Sequence, residues 1–538
     1  MRRPKELRGN KRLLWSTGTG AQVWDLFQAA IHDDVRAIKR LLRKDPSLIR
    51  CHHNYRTPLY FAVRENSVRA ATVLLGHAGD PLSLAVNDTL LEITRERGYT
   101  EMRQLLEQYL DSHFRISARG EAVGAAIREK DIRKVRALLD GSPDLIHAGD
   151  ERGNQPIHWA VMSRQLKMID EVLARGADIN AKRFDGARPI QLTNGDYSYR
   201  GWRDVPAGTR TKPRQVLQHL REKGAYCDIC TASYIGDLER VKELLREDRG
   251  LANRPSDYVT YYACSGTPIR NAAAGGHIEI VRLLLQNGAD PNLEEEGIAP
   301  LGMALHSAVC NGHREIVELL LAHGAFPNVP VESSADTLSA AIRSEDKEMI
   351  ALLASHGAAR ELHLLAHYGD VVTAAAMLNA NPKLANNPEA LSNAAGEGQE
   401  AFVRLLLHHR PKLAREVGVG GSTPAITELL FTHGMDANYR DWLGATPLHE
   451  FARKGDVRNA EIFLNHGAKI NALEEAQHST PLGWAAKFGK KDMVELLLSR
   501  GARTDLPRDP LWARPLAWAE RRGHGEIAEL LRDATSRP

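Results

Sequence analysis

The residues best suited to chemistry lie in one polar stretch, QLTNGDYSYRGWRDVPAGTRTKP, beginning at Gln191. Asp196 and Asp204 could act there as paired carboxylates, with Trp202 and nearby tyrosines as a platform for a sugar ring, the arrangement a glycoside-cleaving site requires. A second candidate is CDIC, where Cys227 and Cys230 have the spacing of a zinc or redox pair. A structural zinc site takes four ligands, no second Cys-x-x-Cys exists, and Cys51, Cys264 and Cys310 are scattered, so neither a metal nor a cofactor is expected. The 22 histidines form no His-Glu-x-x-His, and neither a phosphate loop nor a nucleophile elbow occurs.

Composition narrows the field further. The 71 Lys and Arg against 68 Asp and Glu leave a net charge of only +3, which excludes a strong field toward nucleic acid or membrane. No run approaches eighteen apolar residues, so no membrane span is expected. The start MRRPKELRGNKRLLW is basic but lacks the apolar core of a signal peptide, and it reads as an unstructured soluble tail. Five scattered cysteines point to a reducing, cytoplasmic compartment.

These residues must be positioned by short helices. GHIEIVRLLLQNGADPN from Gly276, GHREIVELLLAHGAFPN from Gly312 and GKKDMVELLLSRGARTD from Gly489 each read as an amphipathic helix ending at Gly-Ala, where glycine accepts a left-handed turn at low cost. Upstream stand TPLYFAV, QPIHWAV, TPIRNAA, TPLHEFA, TPLGWAA and RPLAWAE, in which Thr can cap a helix and Pro fits its first position. The stop signals recur with a period of 33 residues from Gly324 to Gly357 and again from Gly434 to Gly467, and 34 from Gly467 to Gly501.

The chain therefore resembles the ankyrin-repeat family, whose Thr-Pro-Leu-His and Gly-Ala-Asp-x-Asn signatures recur in it. The resemblance implies an all-α solenoid with short β-turn fingers. About sixteen helix-pair repeats, several of them degenerate, fit the length at that period. The family's use of Gly-His at turns and Pro-x-His at helix starts accounts for His277, His313, His524, His158 and His449. Trp159, Trp484 and Trp518 share one slot, which argues for packing between repeats.

Three breaks in the period fall in succession. Gly176 to Gly224 spans 48 residues, so an insertion at about 192–213 separates the two helices of one repeat. Asn253 to Thr267 is 14 residues where the near-consensus repeat has 8, which makes a long finger at 254–266. Gly288 to Gly324 is 36, and the sequence around His306 suggests an extra helical turn. The expected organisation is a tail at 1–20, N-terminal repeats at 21–224, central repeats at 225–410, and C-terminal repeats and cap at 411–538 after a hinge near Gly418 to Ser422.

Long irregular loops are uncommon unless functional, and rings beside charged groups are what binding hot spots use. The candidate binding site is therefore Asp196, Tyr197, Tyr199, Arg200, Trp202, Arg203 and Asp204 of the insertion with Asp257, Tyr258, Tyr261 and Tyr262 of the finger. A structural clip remains the competing role for the insertion. The functional expectation is a monomeric scaffold that binds a protein partner through its concave face, not nucleic acid or membrane. The alternative is a small-molecule or carbohydrate site, hydrolytic if Asp196 and Asp204 act together.

Overall fold

In a computed structural model the chain is described throughout except at residues 15, 82–87, 117, 151–152, 184–185, 194, 196–204, 258–263, 296–302, 329–335, 507–509 and 537–538. The described residues form helices and turns with three isolated bridges and no strand. Fourteen pairs of α-helices follow one another, from Gly20–Ile31 with Val35–Lys44 to Pro515–Arg521 with Gly525–Ser536. In two further repeats, the sixth and the thirteenth, a short 3-10 segment precedes a single α-helix, so sixteen repeats are present in an all-α solenoid fold.

Within a block, first helices pack on the first helix of the next repeat, as Ile229–Ile235 does on Pro268–Gly275, and that helix on Ala304–Cys310. Contacts divide the chain into two compact blocks, one built mainly from residues 9–359 and one from Arg360–Pro538 together with Met1–Arg8. In the second block a continuous apolar core runs from Leu362 through Phe402 and Phe463 to Trp518 and Leu531. In the first block, Val123 to Ala225 and Ile229 to Leu353 supply two long stretches of core.

The signature residues hold one repeat to the next. Asn253, Asn292, Asn328 and Asn438 each donate through Nδ2 to the carbonyl of Gly288, Gly324, Gly357 and Gly467 one repeat on, at 2.7, 2.8, 3.1 and 3.0 Å. Their Oδ1 atoms accept the N–H of Asp290, Phe326, Ala359 and Lys469, each at 2.8 Å. One side chain thus satisfies a helix-terminal carbonyl and the N–H two residues beyond it, groups that the turn would otherwise leave without partners.

Histidine and tryptophan complete the junctions. His158 accepts from the N–H of Gln155 at 3.0 Å and faces the carbonyl of Ala181 at 3.1 Å, while His449 repeats this with Thr446 at 3.1 Å and Ser479 at 3.2 Å. The Trp slot is buried, and in Trp159 and Trp484 the indole N–H ties helix to finger. Trp159 donates to Asp150 at 2.7 Å and Trp484 to Glu474 at 3.2 Å. A cation from the preceding repeat covers the ring, Arg128 over Trp159 and Lys487 over Trp518, each at 4.2 Å. At the Gly-His turns, a Cβ on Gly276, whose φ is +75°, would sit 2.7 Å from the His313 ring. Glycine is required there twice over, by the backbone and by the neighbour.

Two expectations meet a different structure. Residues 1–20 are built into the fold rather than trailing as a tail, because the chain offers their donors acceptors. The Met1 amino group lies 2.7 Å from the Glu475 carboxylate, Arg2 N–H donates to Trp442 O at 3.0 Å, and Leu7 is fully buried. The helix carrying His306 is Ala304–Cys310, seven residues like its counterparts, so it carries no extra turn. At the thirteenth repeat the missing helix is replaced by a segment bonded to both neighbours. Ser422 N–H reaches Ala395 O at 2.9 Å, and Asn459 Nδ2 reaches Gly421 O at 3.1 Å.

Replacing Asn292 with Ala is expected to cost about 1–2 kcal/mol locally, from two hydrogen bonds each worth roughly 1 kcal/mol net. Amide exchange at Phe326 should accelerate about tenfold, since 1.4 kcal/mol is a factor of ten. Unchanged exchange at Phe326 would remove the clamp from the list of stabilising contacts.

Candidate binding site at the irregular repeats

In the sixth repeat the first helix is reduced to the 3-10 turn Pro189–Leu192, and the second helix begins at Pro213. The ends of the intervening segment are held by the two preceding repeats. Arg164 Nε donates to Thr193 O at 3.4 Å, and Lys130 Nζ to Ala207 O at 3.2 Å. Between Pro206 and Thr209 the chain turns, with Thr209 N–H on Pro206 O at 3.2 Å.

The long finger closes at its base through Ser256 N–H to Gly266 O at 2.9 Å, and Asn271 Nδ2 fixes Ser265 O at 2.8 Å. Gln191 joins this base to the shortened helix of the sixth repeat. Its buried amide donates to Ser256 Oγ at 3.0 Å and to Cys264 O at 3.4 Å. On the exposed side Asp257 pairs with Lys182 at 2.8 Å and Arg188 at 3.3 Å. The Lys182 ammonium, with Arg188, holds the Asp257 carboxyl below its usual range. The carboxylate is 60% exposed, so the pairs fix orientation more than they add stability. Arg188 also lies over the Tyr226 ring at 4.7 Å, and Tyr226 N–H is fixed by Asn180 Oδ1 at 2.7 Å.

The roots of the insertion and of the long finger are thereby brought together. Of the residues singled out from sequence, Asp257 stands at this junction. Asp196, Tyr197, Tyr199, Arg200, Trp202, Arg203, Asp204, Tyr258, Tyr261 and Tyr262 lie outside the described residues. Four neighbours were not singled out: Lys182, Arg188, Gln191 and Tyr226. Arg188 had a signal, since it replaces Thr in the Thr-Pro start motif, and Tyr226 stands beside CDIC as a ring exposed to 51%.

The other chemical candidates are occupied with structure. Cys230 is buried, and its thiol faces the carbonyl of Gly266 at 3.3 Å. Burial pushes Cys227 up to about 11 and Cys230 higher, so both remain thiols near neutrality. Among the described residues no three His, Cys, Asp or Glu side chains converge as a metal site would require. Nor is any described helix long and apolar enough to cross a membrane.

Comparison with known proteins agrees with this geometry. A model of ankyrin repeats in three copies matches residues 229–331 and 413–508, and a single-repeat ankyrin model matches 152–181. The matched stretches are ankyrin repeats. It is 27% identical over 198 residues to a probable E3 ubiquitin-protein ligase, XBOS32 of Oryza sativa subsp. japonica, covering 33% of this chain and 39% of that protein. It is 25% identical over 181 residues to transient receptor potential cation channel subfamily A member 1 of Homo sapiens, covering 28% of this chain and 16% of the channel. Rabankyrin-5 of Mus musculus shares 24% over 172 residues, 28% of this chain and 14% of its own length. The matched region thus spans well under half of each of these relatives.

Two outcomes test the geometry. Gln191→Ala should loosen the finger base, so the Ser256 amide exchanges about tenfold faster for the loss of roughly 1–2 kcal/mol. Equal exchange in both proteins would dissociate the finger from the sixth repeat. The pH dependence follows from the signature histidines. Burial, aided by Arg183, pushes His158 down to about 3, and burial with Arg440 pushes His449 down to about 4. Their folded values lie below the unfolded value near 6.5, so stability is complete above that pH and is lost as pH falls toward 4 and 3. Each should cost about 2 kcal/mol by pH 5. Thermal unfolding of His449→Gln should accordingly fall less between pH 6.5 and 5 than that of the parent, and identical slopes would contradict it.

Proposed function

We propose that this ankyrin-repeat protein is an interaction scaffold whose partner contacts the surface where the insertion and the long finger meet. Ankyrin repeats in general serve protein–protein interaction, and a repeat array supplies an extended surface without needing a closed active site. The observation that carries the assignment to this surface is the Gln191 bridge to Ser256 and Cys264, which couples the bases of two irregular segments. Lys182, Arg188 and Asp257 present a fixed charged array beside the exposed Tyr226 ring. Pre-organised rings and planar guanidinium groups are favourable anchors because little side-chain freedom is lost when they bind.

In this reading Tyr197, Tyr199, Arg200, Trp202 and Arg203 of the insertion and Tyr258, Tyr261 and Tyr262 of the finger supply specificity, with Asp196, Asp204 and Asp257 as acceptors. Capture from source-cell lysate compares the parent with Trp202→Ala/Tyr226→Ala/Tyr258→Ala. A control variant carries Tyr368→Ala and Tyr439→Ala, partly exposed rings of the other block. The expected result is a stoichiometric protein retained by parent and control and lost, about tenfold or more, from the triple variant. Equal retention by all three proteins would move the contact surface elsewhere, and retention by none would count against the scaffold reading.

A further inference from the structure

Beside the insertion lies a cavity of about 420 Å³, lined by Lys130 and Ile132 of the fourth repeat, Arg164 to Met168 of the fifth, and Thr209 to Thr211 of the insertion. Four of its lining side chains are cationic, Lys130, Arg164, Lys167 and Arg210, and no carboxylate lines it among the described residues. Described acids that neighbour the lining residues in sequence have other partners. Glu129 pairs with Lys134 at 3.1 Å, Asp131 accepts the Lys134 N–H at 3.0 Å, and Asp170 binds His219 and Lys223 at 2.9 Å each.

The backbone adds positive potential to the side chains. The helix Leu166–Ala174 starts at the cavity without a side-chain cap, because Gln165 gives its amide to Ile127 O at 2.7 Å and Ser163 Oγ at 2.8 Å. Its neighbour Ile132–Gly141 is capped by Asp131, so the fifth repeat lacks the acid that would neutralise this end. The N–H groups at the start of such a helix are directed toward an anion.

The turn geometry indicates that the cations are placed at some cost. Lys130 and Arg164 occupy the same repeat position with φ of 61° and 55°, where the eighth and ninth repeats have Gly276 and Gly312 at 75° and 71°. A side chain in that left-handed region costs roughly 1 kcal/mol over glycine. Asp33, Asn66 and Glu345 hold the same position at 55°, 57° and 55°, so the turn admits a side chain, and in the fourth and fifth repeats that side chain is a cation lining one cavity.

We propose that this cavity binds a phosphate-bearing ligand. Arg164 and Arg210 supply planar forks that match phosphate oxygens, Lys130 and Lys167 supply point charges, and Thr209 and Thr211 supply hydroxyl donors. The volume exceeds what one phosphate fills and accommodates two or three linked phosphoryl groups. This site is distinct from the partner surface proposed above and does not depend on it.

The test is calorimetric titration of the full chain with inorganic tripolyphosphate at low ionic strength, beside a parallel titration with a short phosphoserine peptide and its unphosphorylated form. The variant is Arg164→Gly/Lys167→Ala, in which glycine relaxes the turn, so thermal stability should hold while affinity falls about tenfold or more. A control, Lys39→Ala/Arg40→Ala, removes two exposed cations from the first repeat. Binding that the control retains and the variant loses supports the site, and the tighter of the two phosphorylated probes identifies a free polyphosphate or a phosphorylated segment as the source. Absence of binding by either probe up to about 1 mM, or equal weakening in variant and control, overturns it.

Discussion

The asparagine that closes each Gly-Ala-x-x-Asn turn makes the rest of the structure possible. A helix pair of this length cannot bury its apolar face alone, so each repeat is stable only if its neighbour is held in register. Apolar contacts are poor at fixing register because they tolerate sliding. Asn292 fixes it by taking one donor and one acceptor from the following turn, Gly324 O and Phe326 N. A shift of one residue would lose both bonds and strand two backbone groups, so the polar side chain sets alignment while Leu284, Val317 and Leu320 provide burial.

Where that arrangement is interrupted, other polar groups take over, and the sites of interruption carry the unusual features. In the sixth repeat the first helix is reduced to the 3-10 turn Pro189–Leu192. Gln191 compensates by crossing to the long finger, and Arg164 and Lys130 hold the insertion's two ends. In the thirteenth repeat Thr427, Asn459 and Arg458 fasten an extended segment at Gly421 and Ser422. The second case leaves a bonded patch. The first leaves a charged cavity and an exposed ring, which is why functional readings concentrate there.

The repeat was legible in sequence because its marks are backbone requirements. Pro at the first helical position, Gly at positive φ and Asn at the turn each answer a local need, so the period and the number of repeats could be read without knowing any contact. The joining of insertion and finger was not legible, because Gln191 and Ser256 are 65 residues apart and neither is unusual in type. The expected extra turn at His306 failed for a related reason: a helical pattern continued by Ala, Leu and Met looks the same whether residues lengthen the helix or the finger before it. The cationic cavity was hidden for the same cause, since Lys130, Arg164 and Arg210 each look like ordinary surface charges and become a set only through the 33-residue stacking.

That last point bears on how repeat arrays acquire sites. A residue at a fixed repeat position is brought beside its equivalent in the next repeat, so two substitutions at one position create a pair of like charges without any change of fold. Like charges brought together repel, and among the described residues no carboxylate lines the cavity with Lys130 and Arg164. Glycine holds that turn in the eighth and ninth repeats, at Gly276 and Gly312, and Asp33, Asn66 and Glu345 hold it in the first, second and tenth. An anion bound there would relieve the repulsion between the cations and satisfy the uncapped start of the helix Leu166–Ala174. The insertion then has a defined physical role: its Thr209–Thr211 arm closes the third side of a cavity that two ordinary turns could not enclose.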